Sequence, residues 1–224
     1  FAEVDATAPV EEGDVRLDAE FPKAREDRPA LSEREQAGNV RNLGRGDGVD
    51  AFDVGDTVYG CAGGFRGAPH GALADYMPAD AELLAPMPPS VSFREAAALP
   101  LVTLTAWEAL VEKAAVGPDD HVLVHGATGG VGHIGQQIAR SRGAEVSVTA
   151  SSSEALDIAM DLGAHHGIRY DEEPVSDYVD RLTDGRGFDV VFDTVGGENI
   201  ERCFEATRLN GRMATIAARE EHNL

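Results

Sequence analysis

Lysine is nearly absent from this sequence. Of 19 basic residues only Lys23 and Lys113 are lysine, whereas 40 residues are acidic and the formal net charge is −21. An ordinary acidic cytoplasmic protein is one interpretation, but the scarcity of lysine favours a halophilic protein, because concentrated salt screens neighbouring carboxylates. We therefore expect its thermal stability to rise with salt. A field this negative also argues against nucleic acid as a partner.

Long apolar runs and abundant cysteine are also missing. No window approaches the roughly 18 apolar residues of a membrane span, and no basic-then-apolar leader opens the chain. We therefore expect a cytoplasmic protein without a membrane partner. Two cysteines, Cys61 and Cys203, cannot form a disulfide framework or a four-thiolate zinc site. Cys203 lies in a helical pattern that indicates simple packing.

Two kinds of sequence meet near residue 100. Residues 1–98 carry short apolar stretches broken by Gly, Pro and Asp, which predicts an irregular antiparallel β domain with tight turns such as Val54–Asp56. Over residues 99–224, strand-like runs ("HVLVHG", "EVSVTA", "GIRY", "FDVVFDTVG", "RMATIAA") alternate with helical ones. This alternation predicts an α/β domain with a doubly wound parallel sheet. The last strand would leave an open edge, so we expect a chain that is incomplete at both ends or pairs with a partner.

A glycine-rich turn, Ala127–Gly132, joins the first of these strands to a helix. A strand, a glycine turn and a helix in this order are typical of dinucleotide binding, with the first N–H groups of the helix facing the pyrophosphate. Gly129 would let the phosphates approach the backbone, and Gly132 would let helix and strand pack closely. Ala127 occupies the first glycine position of the motif. A purely structural turn is the alternative.

No acidic residue ends the second strand of this domain. A site selective for NAD has an Asp or Glu there, which binds the ribose 2′-hydroxyl. Here the strand "EVSVTA" ends in Ser151, Ser152 and Ser153, and Glu145 lies at its opposite end. Hydroxyl groups leave room for a 2′-phosphate that a carboxylate would repel, which favours NADPH. The serines also suit a helix start, with Ser153 as the N-cap.

Five segments carry a resemblance to a known family: "AGNVRNLGRGDGVDAFDVGDTVYG", "GALADYMPADAELLAPMP", "SFREAAALPLVTLTAWEAL", "VLVHGATGGVGHIGQQIAR" and "GFDVVFDTVGG". The sequence resembles the zinc-independent quinone oxidoreductases of the medium-chain dehydrogenase/reductase superfamily. The resemblance implies a partial GroES-like catalytic domain over residues 1–98 and a partial Rossmann NADP-binding domain over 99–224. It implies an active site in the cleft between them. Full-length members continue beyond the corresponding end point and often pair, which implies a homodimer.

The resemblance also bears on metal. Zinc-using members carry Gly-His-Glu just before the segment that matches 36–38, whereas this chain has Glu33, Arg34 and Glu35. The seven histidines show no ligand spacing, and the neighbours His165 and His166 are more typical of a strand or turn pair. We therefore expect an enzyme that works without zinc.

Cofactor contacts are implied residue by residue. The resemblance implies that the turn (Ala127, Thr128, Gly129, Gly130, Val131 and Gly132) holds the pyrophosphate, that Ser151 and Ser152 lie near the 2′-phosphate and Tyr170 along the adenosine phosphate side, and that Thr105 and Thr194 approach the nicotinamide and its ribose. An ordinary half-buried strand aromatic is the alternative for Tyr170. Two positions depart from the family: Ala155 replaces a lysine, and Ala8 falls where an asparagine is common.

The predicted function is an NADPH-dependent reductase of quinones or α,β-unsaturated carbonyls, with a small-molecule substrate. No general acid is evident in the sequence, so we assign no catalytic residue and expect solvent to deliver the proton. Two alternatives remain open. One is an enoyl-thioester reductase, which needs a longer pocket, and the other is a non-catalytic NADPH-binding protein, suggested by the missing lysine and asparagine.

Overall fold

The computed structural model describes residues 14–16, 40–41, 49–61 and 77–217. The chain divides into two compact units between Leu101 and Val102. Ala8 and residues 33–35 lie outside the described residues, so the expectations about them stay predictions. Within the described part, no helix has both the length and the apolar character needed to span a membrane.

The first unit contains short antiparallel strands. Strand β1 (Asp14–Arg16) pairs with β4 (Pro78–Asp80). Strands β2 (Val40–Arg41), β3 (Thr57–Gly60) and β5 (Leu84–Pro86) form a second sheet in the order β2-β3-β5. Every pairing is antiparallel, as the broken apolar stretches predict. A GroES-like domain remains a prediction.

A tight turn precedes β3, as predicted. The amide of Asp56 donates to the carbonyl oxygen of Asp53 at 3.1 Å, and the Asp56 carboxylate accepts from the Asp53 amide at 2.8 Å. Gly55 between them has φ +103°, a left-handed conformation that other residues rarely adopt. A small buried cluster lies beside the turn and consists of Val49, Phe52 and Val58.

A long helix, α1 (Phe93–Trp107), runs across the division between the units. It begins with a capping box, in which the Glu95 carboxylate accepts from the Ser92 amide at 2.7 Å and the Ser92 hydroxyl accepts from the Glu95 amide at 3.3 Å. The helix continues directly into a π-helical segment, Glu108–Lys113.

The second unit is built on a five-stranded parallel sheet. Its strands are β6 (His121–His125), β7 (Glu145–Ala150), β8 (His166–Arg169), β9 (Phe188–Asp193) and β10 (Thr207–Thr215). Their spatial order is β10-β9-β6-β7-β8, and each pairing is parallel. The predicted α/β fold with a parallel sheet is therefore confirmed. The strand order reverses between β6 and β9, which is where such sheets open a crevice for ligands.

Four helices follow the first four strands of this sheet. They are α2 (Gly132–Ser141), α3 (Ser153–Asp161), α4 (Val175–Thr183) and α5 (Asn199–Ala206). Each helix connects one parallel strand to the next, as the predicted βαβ units require.

The sheet is buried on both faces. Val122 and Val124 of β6 belong to one apolar cluster, whereas Leu123 between them belongs to another. Because alternate residues of a strand point to opposite faces, an apolar run of this kind indicates helices on both sides. Cys203 is fully buried in the second cluster, which confirms its packing role.

Candidate nucleotide-binding site

The glycine turn brings the start of α2 against the end of β6. The amide of Gly129 donates to the carbonyl oxygen of Gly126 at 2.9 Å. A Cβ atom added to Gly132 would lie 2.1 Å from that same oxygen, and one added to Gly129 would lie 3.2 Å from it. Gly132 therefore lets helix and strand pack closely, which is the role predicted for it.

Gly126 supplies the backbone conformation that the turn requires. Its φ is +73°, and an added Cβ would lie 2.7 Å from the Thr194 hydroxyl oxygen. Ala127, which occupies the first glycine position of the motif, is fully buried in the core, and its amide donates to the Thr149 carbonyl oxygen at 3.5 Å. The left-handed residue of the turn is Gly126, directly before it.

A cavity of about 430 Å³ opens at the carboxyl ends of the central strands. Its walls include Gly126 and Thr128 from the glycine turn, Ser151 after β7, Tyr170 after β8 and Arg202 from α5. Tyr170 is 45% exposed and lies just after the last residue of β8, outside the strand in which the alternative interpretation placed it. Thr128, Ser151 and Tyr170 were each predicted separately as cofactor contacts, and the structure places all three in the wall of one cavity.

His125 lies in the wall of this cavity and has one buried ring nitrogen that is unpaired within the described part of the chain. The ring is 2% exposed, and its Nδ1 lies 3.0 Å from the Thr149 hydroxyl oxygen. Its Nε2 has no hydrogen-bond partner among the described residues. Burial lowers the pKa of His125 to about 4, so the ring is neutral near pH 7.

Asp193, the last residue of β9, fixes the other side of the crevice. Its carboxylate is fully buried and accepts from the Asn199 side chain at 2.8 Å and from the Thr215 hydroxyl at 2.9 Å. It also accepts from the amides of Val195 and Gly196. Burial alone would raise the pKa of Asp193, but these hydrogen bonds outweigh it and lower the pKa below its ordinary value.

The serines after β7 have separate roles. Ser151 lines the cavity, whereas the Ser152 hydroxyl accepts from the Ala155 amide at 3.1 Å and caps α3. The prediction of Ser153 as the N-cap was wrong by one residue, because Ser152 has the extended backbone of a cap and Ser153 is already helical.

Arg169 is a candidate that the sequence reasoning missed. One of its Nη atoms lies 3.4 Å from the Ser153 hydroxyl, and the guanidinium pairs with Asp171 at 2.8 and 3.0 Å and with Glu172 at 3.0 Å. A cation therefore stands beside the serine turn, although Ala155 replaces the expected lysine. Its place directly before Tyr170, at the end of the third strand, was the signal that could have identified it.

The two threonines expected near the nicotinamide lie in different surroundings. The Thr194 hydroxyl donates to the His125 carbonyl oxygen at 2.7 Å, which ties the end of β9 to the end of β6. Thr105 does not line the cavity beside the glycine turn; it lines another of about 430 Å³ together with Thr215 and Ile216. Of the remaining turn residues, Gly130 lies near Val102, and Val131 packs against the core.

The comparisons with known proteins agree with this architecture. Residues 130–224 match the family model described as "Zinc-binding dehydrogenase". The 2-haloacrylate reductase of Burkholderia sp is 35% identical over 171 residues, which cover 75% of this chain and 50% of that protein. These findings support the assignment of this chain to the medium-chain dehydrogenase/reductase superfamily.

Solved structures from this superfamily have the same fold. Escherichia coli quinone oxidoreductase complexed with NADPH matches with a TM-score of 0.72 at 29% identity, over 83% of this chain and 56% of that one. The CurK enoyl reductase matches with a TM-score of 0.72 at 30% identity, over 83% and 54%. The chain thus spans about half the length of each of these relatives. The family match covers residues 130–224 and so does not test the predicted absence of the zinc motif at residues 33–35.

Proposed function

We propose that this chain is part of an NADPH-dependent oxidoreductase that transfers hydride to quinones or α,β-unsaturated carbonyls without zinc. The observation that carries the proposal is the cavity at the carboxyl ends of β6, β7 and β8, which the glycine turn, Ser151 and Tyr170 share. A dinucleotide binds in this position in doubly wound parallel sheets. The superfamily assignment and the NADPH complex of the quinone oxidoreductase support the same cofactor.

The residues present fit a dinucleotide. Gly126, Gly129, Gly130 and Gly132 give the turn four positions without a side chain, Val131 packs against the core, and the turn leads into the amino end of α2. The unpaired N–H groups and the dipole at a helix start favour an anion there. The neutral His125 ring also lies in the wall of the same cavity. When bound, NADPH would supply the hydride.

The end of β7 favours a 2′-phosphate. Ser151 offers a hydroxyl, and Arg169 beside the serine turn offers a guanidinium, which has five N–H donors and binds phosphate well. Asp171 and Glu172 hold this side chain in place from the opposite side. We infer that Arg169 does the work of the lysine that Ala155 replaces.

Cofactor titration tests this assignment. We expect NADPH to bind at least about tenfold more tightly than NADH, and Arg169→Ala to weaken NADPH binding by about 10–100-fold while NADH changes little, because a charge-assisted hydrogen bond contributes about 1.5–3 kcal/mol. Arg208→Ala is the matched control, because Arg208 also pairs with an aspartate, Asp189, but at the amino end of β9. Tighter binding of NADH, or an equal loss for both cofactors, would contradict the proposal.

A turnover assay tests the reaction. We expect NADPH oxidation with a simple quinone or an α,β-unsaturated ketone, at a rate that a chelator leaves unchanged. Binding without turnover across a broad panel of electrophiles would favour a non-catalytic NADPH-binding protein.

An enoyl-thioester reductase is the second candidate, supported by the likeness to the CurK enoyl reductase. The reaction is the same conjugate hydride transfer, so the substrate distinguishes the two. A preference for enoyl thioesters over the corresponding free enones and quinones would favour this candidate, because only a longer pocket would recognise the thioester's carrier arm.

A further inference from the structure

Three metal-ligating side chains meet at the opposite end of the parallel sheet from the nucleotide cavity. They are His121, Glu145 and His166, the first residues of β6, β7 and β8. Their ligand atoms all lie within 4.8 Å of one another. We propose that this His-Glu-His cluster binds a borderline divalent transition-metal ion of the zinc type. The proposal does not depend on the proposed reductase function.

Strand register places the three side chains on one face. His121 pairs directly with Glu145 across β6 and β7, and His166 pairs with Ser147 across β7 and β8. Paired residues on neighbouring strands point to the same face, and so do residues two apart on one strand. His121, Glu145, Ser147 and His166 therefore share one face, and the cluster is a product of the sheet itself.

The donor atoms are spaced for a single ion. Glu145 stands between the two rings, with one carboxylate oxygen 2.8 Å from Nε2 of His166 and the other 3.9 Å from Nδ1 of His121. Neighbouring ligands of a tetrahedral zinc ion with bonds of about 2.0–2.1 Å are about 3.3 Å apart. The two spacings to Glu145 lie on either side of that value, and all ligand atoms lie within 4.8 Å of one another, so the side chains would have to move closer together around an ion. Two imidazoles and a carboxylate leave a fourth position for water.

The His121 ring is already oriented for ligation. Its Nε2 lies 2.8 Å from the hydroxyl of Ser147, which is fully buried, and its ring packs edge-on against Phe188 with centroids 4.8 Å apart. With Nε2 held by Ser147, Nδ1 faces Glu145. Metal-binding histidines usually have their second nitrogen held in this way, which fixes the tautomer and the ring direction.

The cluster is accessible from one side. The Glu145 and His166 side chains are 53% and 36% exposed, whereas that of His121 is 12% exposed. Asp189 accepts from the His121 amide at 2.8 Å and is itself paired with Arg208, so Glu145 supplies the negative charge of the cluster. His165 is not a ligand, because its Nδ1 accepts from the Val146 amide at 2.9 Å.

The alternative is that His166 and Glu145 form a simple hydrogen bond without a metal ion. That bond would account for the position of the His166 ring but not for that of the His121 ring.

The cluster and the cavity lie at opposite ends of β6, about 13 Å apart at about 3.3 Å per residue. A metal ion in the cluster would therefore stabilise the sheet rather than act on a substrate. A metal here is therefore compatible with hydride transfer that needs no zinc.

Metal titration of the whole chain tests the proposal. We expect calorimetry with ZnCl₂ to give one ion per chain, and CoCl₂ to produce the visible absorption of a tetrahedral cobalt site. His166→Gln and Glu145→Gln should each lower zinc affinity at least tenfold, and Ser147→Ala by about 10–100-fold because it releases the His121 ring. MgCl₂ should not compete.

His133→Gln is the matched control, since His133 lies on α2 outside the cluster and should leave zinc binding unchanged. Using two ligand variants keeps the test decisive if one of them does not fold. No zinc binding at millimolar concentration would overturn the proposal, and so would binding that is unchanged in both ligand variants or lost equally in His133→Gln.

Discussion

At the carboxyl ends of β6 and β7 the chain presents backbone groups and small side chains, whereas at the amino ends of the same strands it presents imidazoles and a carboxylate. The carboxyl end consists of a contiguous turn, Gly126–Gly132, and the serines after β7. The amino end consists of His121, Glu145 and His166, each separated from the next by a whole strand–helix unit. Backbone donors suit a large anion, and converging side chains suit a small cation. One parallel sheet thus provides two different kinds of binding surface.

The largest effect is expected from Gly129→Asp at the carboxyl end. The new carboxylate would face the pyrophosphate at the helix start, and its Cβ would already be 3.2 Å from the Gly126 oxygen. We expect NADPH affinity to fall at least about 100-fold, or about 3 kcal/mol, with zinc affinity at the amino end unchanged. Fluorescence and calorimetric titrations measure the two. A folded variant that retains NADPH affinity would remove Gly129 from the pyrophosphate site.

A pH dependence should distinguish the histidines at the two ends of β6. The folded pKa of His125, about 4, is below its ordinary value of 6.5, so the unfolded chain binds more protons between these values. Above about pH 6.5, His125 is neutral in both states and does not lower the free energy of unfolding. As the pH falls towards about 4, protonation of His125 in the unfolded chain lowers the free energy of unfolding by about 3 kcal/mol in total. Urea unfolding across this range measures it.

His125→Gln should flatten that dependence, because the variant has no group to protonate there. His133→Gln is the control and should keep the slope of the wild type, since His133 is not buried. An unchanged slope in His125→Gln would show that His125 is not the group responsible.

A smaller effect is expected from Gly132→Ala, which forces the helix start away from β6. The added Cβ would lie 2.1 Å from the Gly126 oxygen, which cannot move without disturbing the strand. We expect a loss of about 1–3 kcal/mol in the free energy of unfolding. Gly130→Ala is the matched control, with a Cβ 3.6 Å from Val102 and no expected loss. Equal thermal melts for the two variants would contradict this account of the turn.

The smallest effect separates the two serines after β7. Ser152→Ala removes the N-cap of α3 and should cost about 1 kcal/mol of stability. Ser151→Ala should leave stability unchanged and weaken NADPH binding, because Ser151 lines the cavity. Denaturant unfolding and NADPH titration of both variants check the division. The reverse pattern would show that the roles are exchanged.

The strands and helices of the second unit could be predicted because their signals are local. Apolar runs such as "FDVVFDTVG" follow from burial on both faces, and glycine-rich turns follow from close backbone approaches. The same reasoning placed Thr128 and Ser151 at one end of the sheet, and the family resemblance placed Tyr170 there; the structure brings the three together. A position error remained at Ser153, where a shift of one residue changes which backbone is extended.

Arg169 and the His-Glu-His cluster could not be predicted in the same way. Whether Arg169 points towards Ser153 depends on its pairing with Asp171, which no periodicity encodes. The cluster depends on the register of β7 against both of its neighbours, because a shift of one residue would turn Glu145 to the other face. Ligand spacing in a sequence reveals only ligands that lie close together in one segment, whereas these three ligands lie on three separate strands.

The hydrogen bonds of Asp193 also affect how tightly a ligand could be held. One buried carboxylate joins the end of β9 to Val195, Gly196, Asn199 and Thr215, and Thr194 next to it holds β6. The mouth of the crevice is therefore ordered before a ligand arrives, so little conformational entropy is lost when one binds. Affinity at this site should consequently depend on contacts with the ligand, with no folding of the surrounding loop to oppose it.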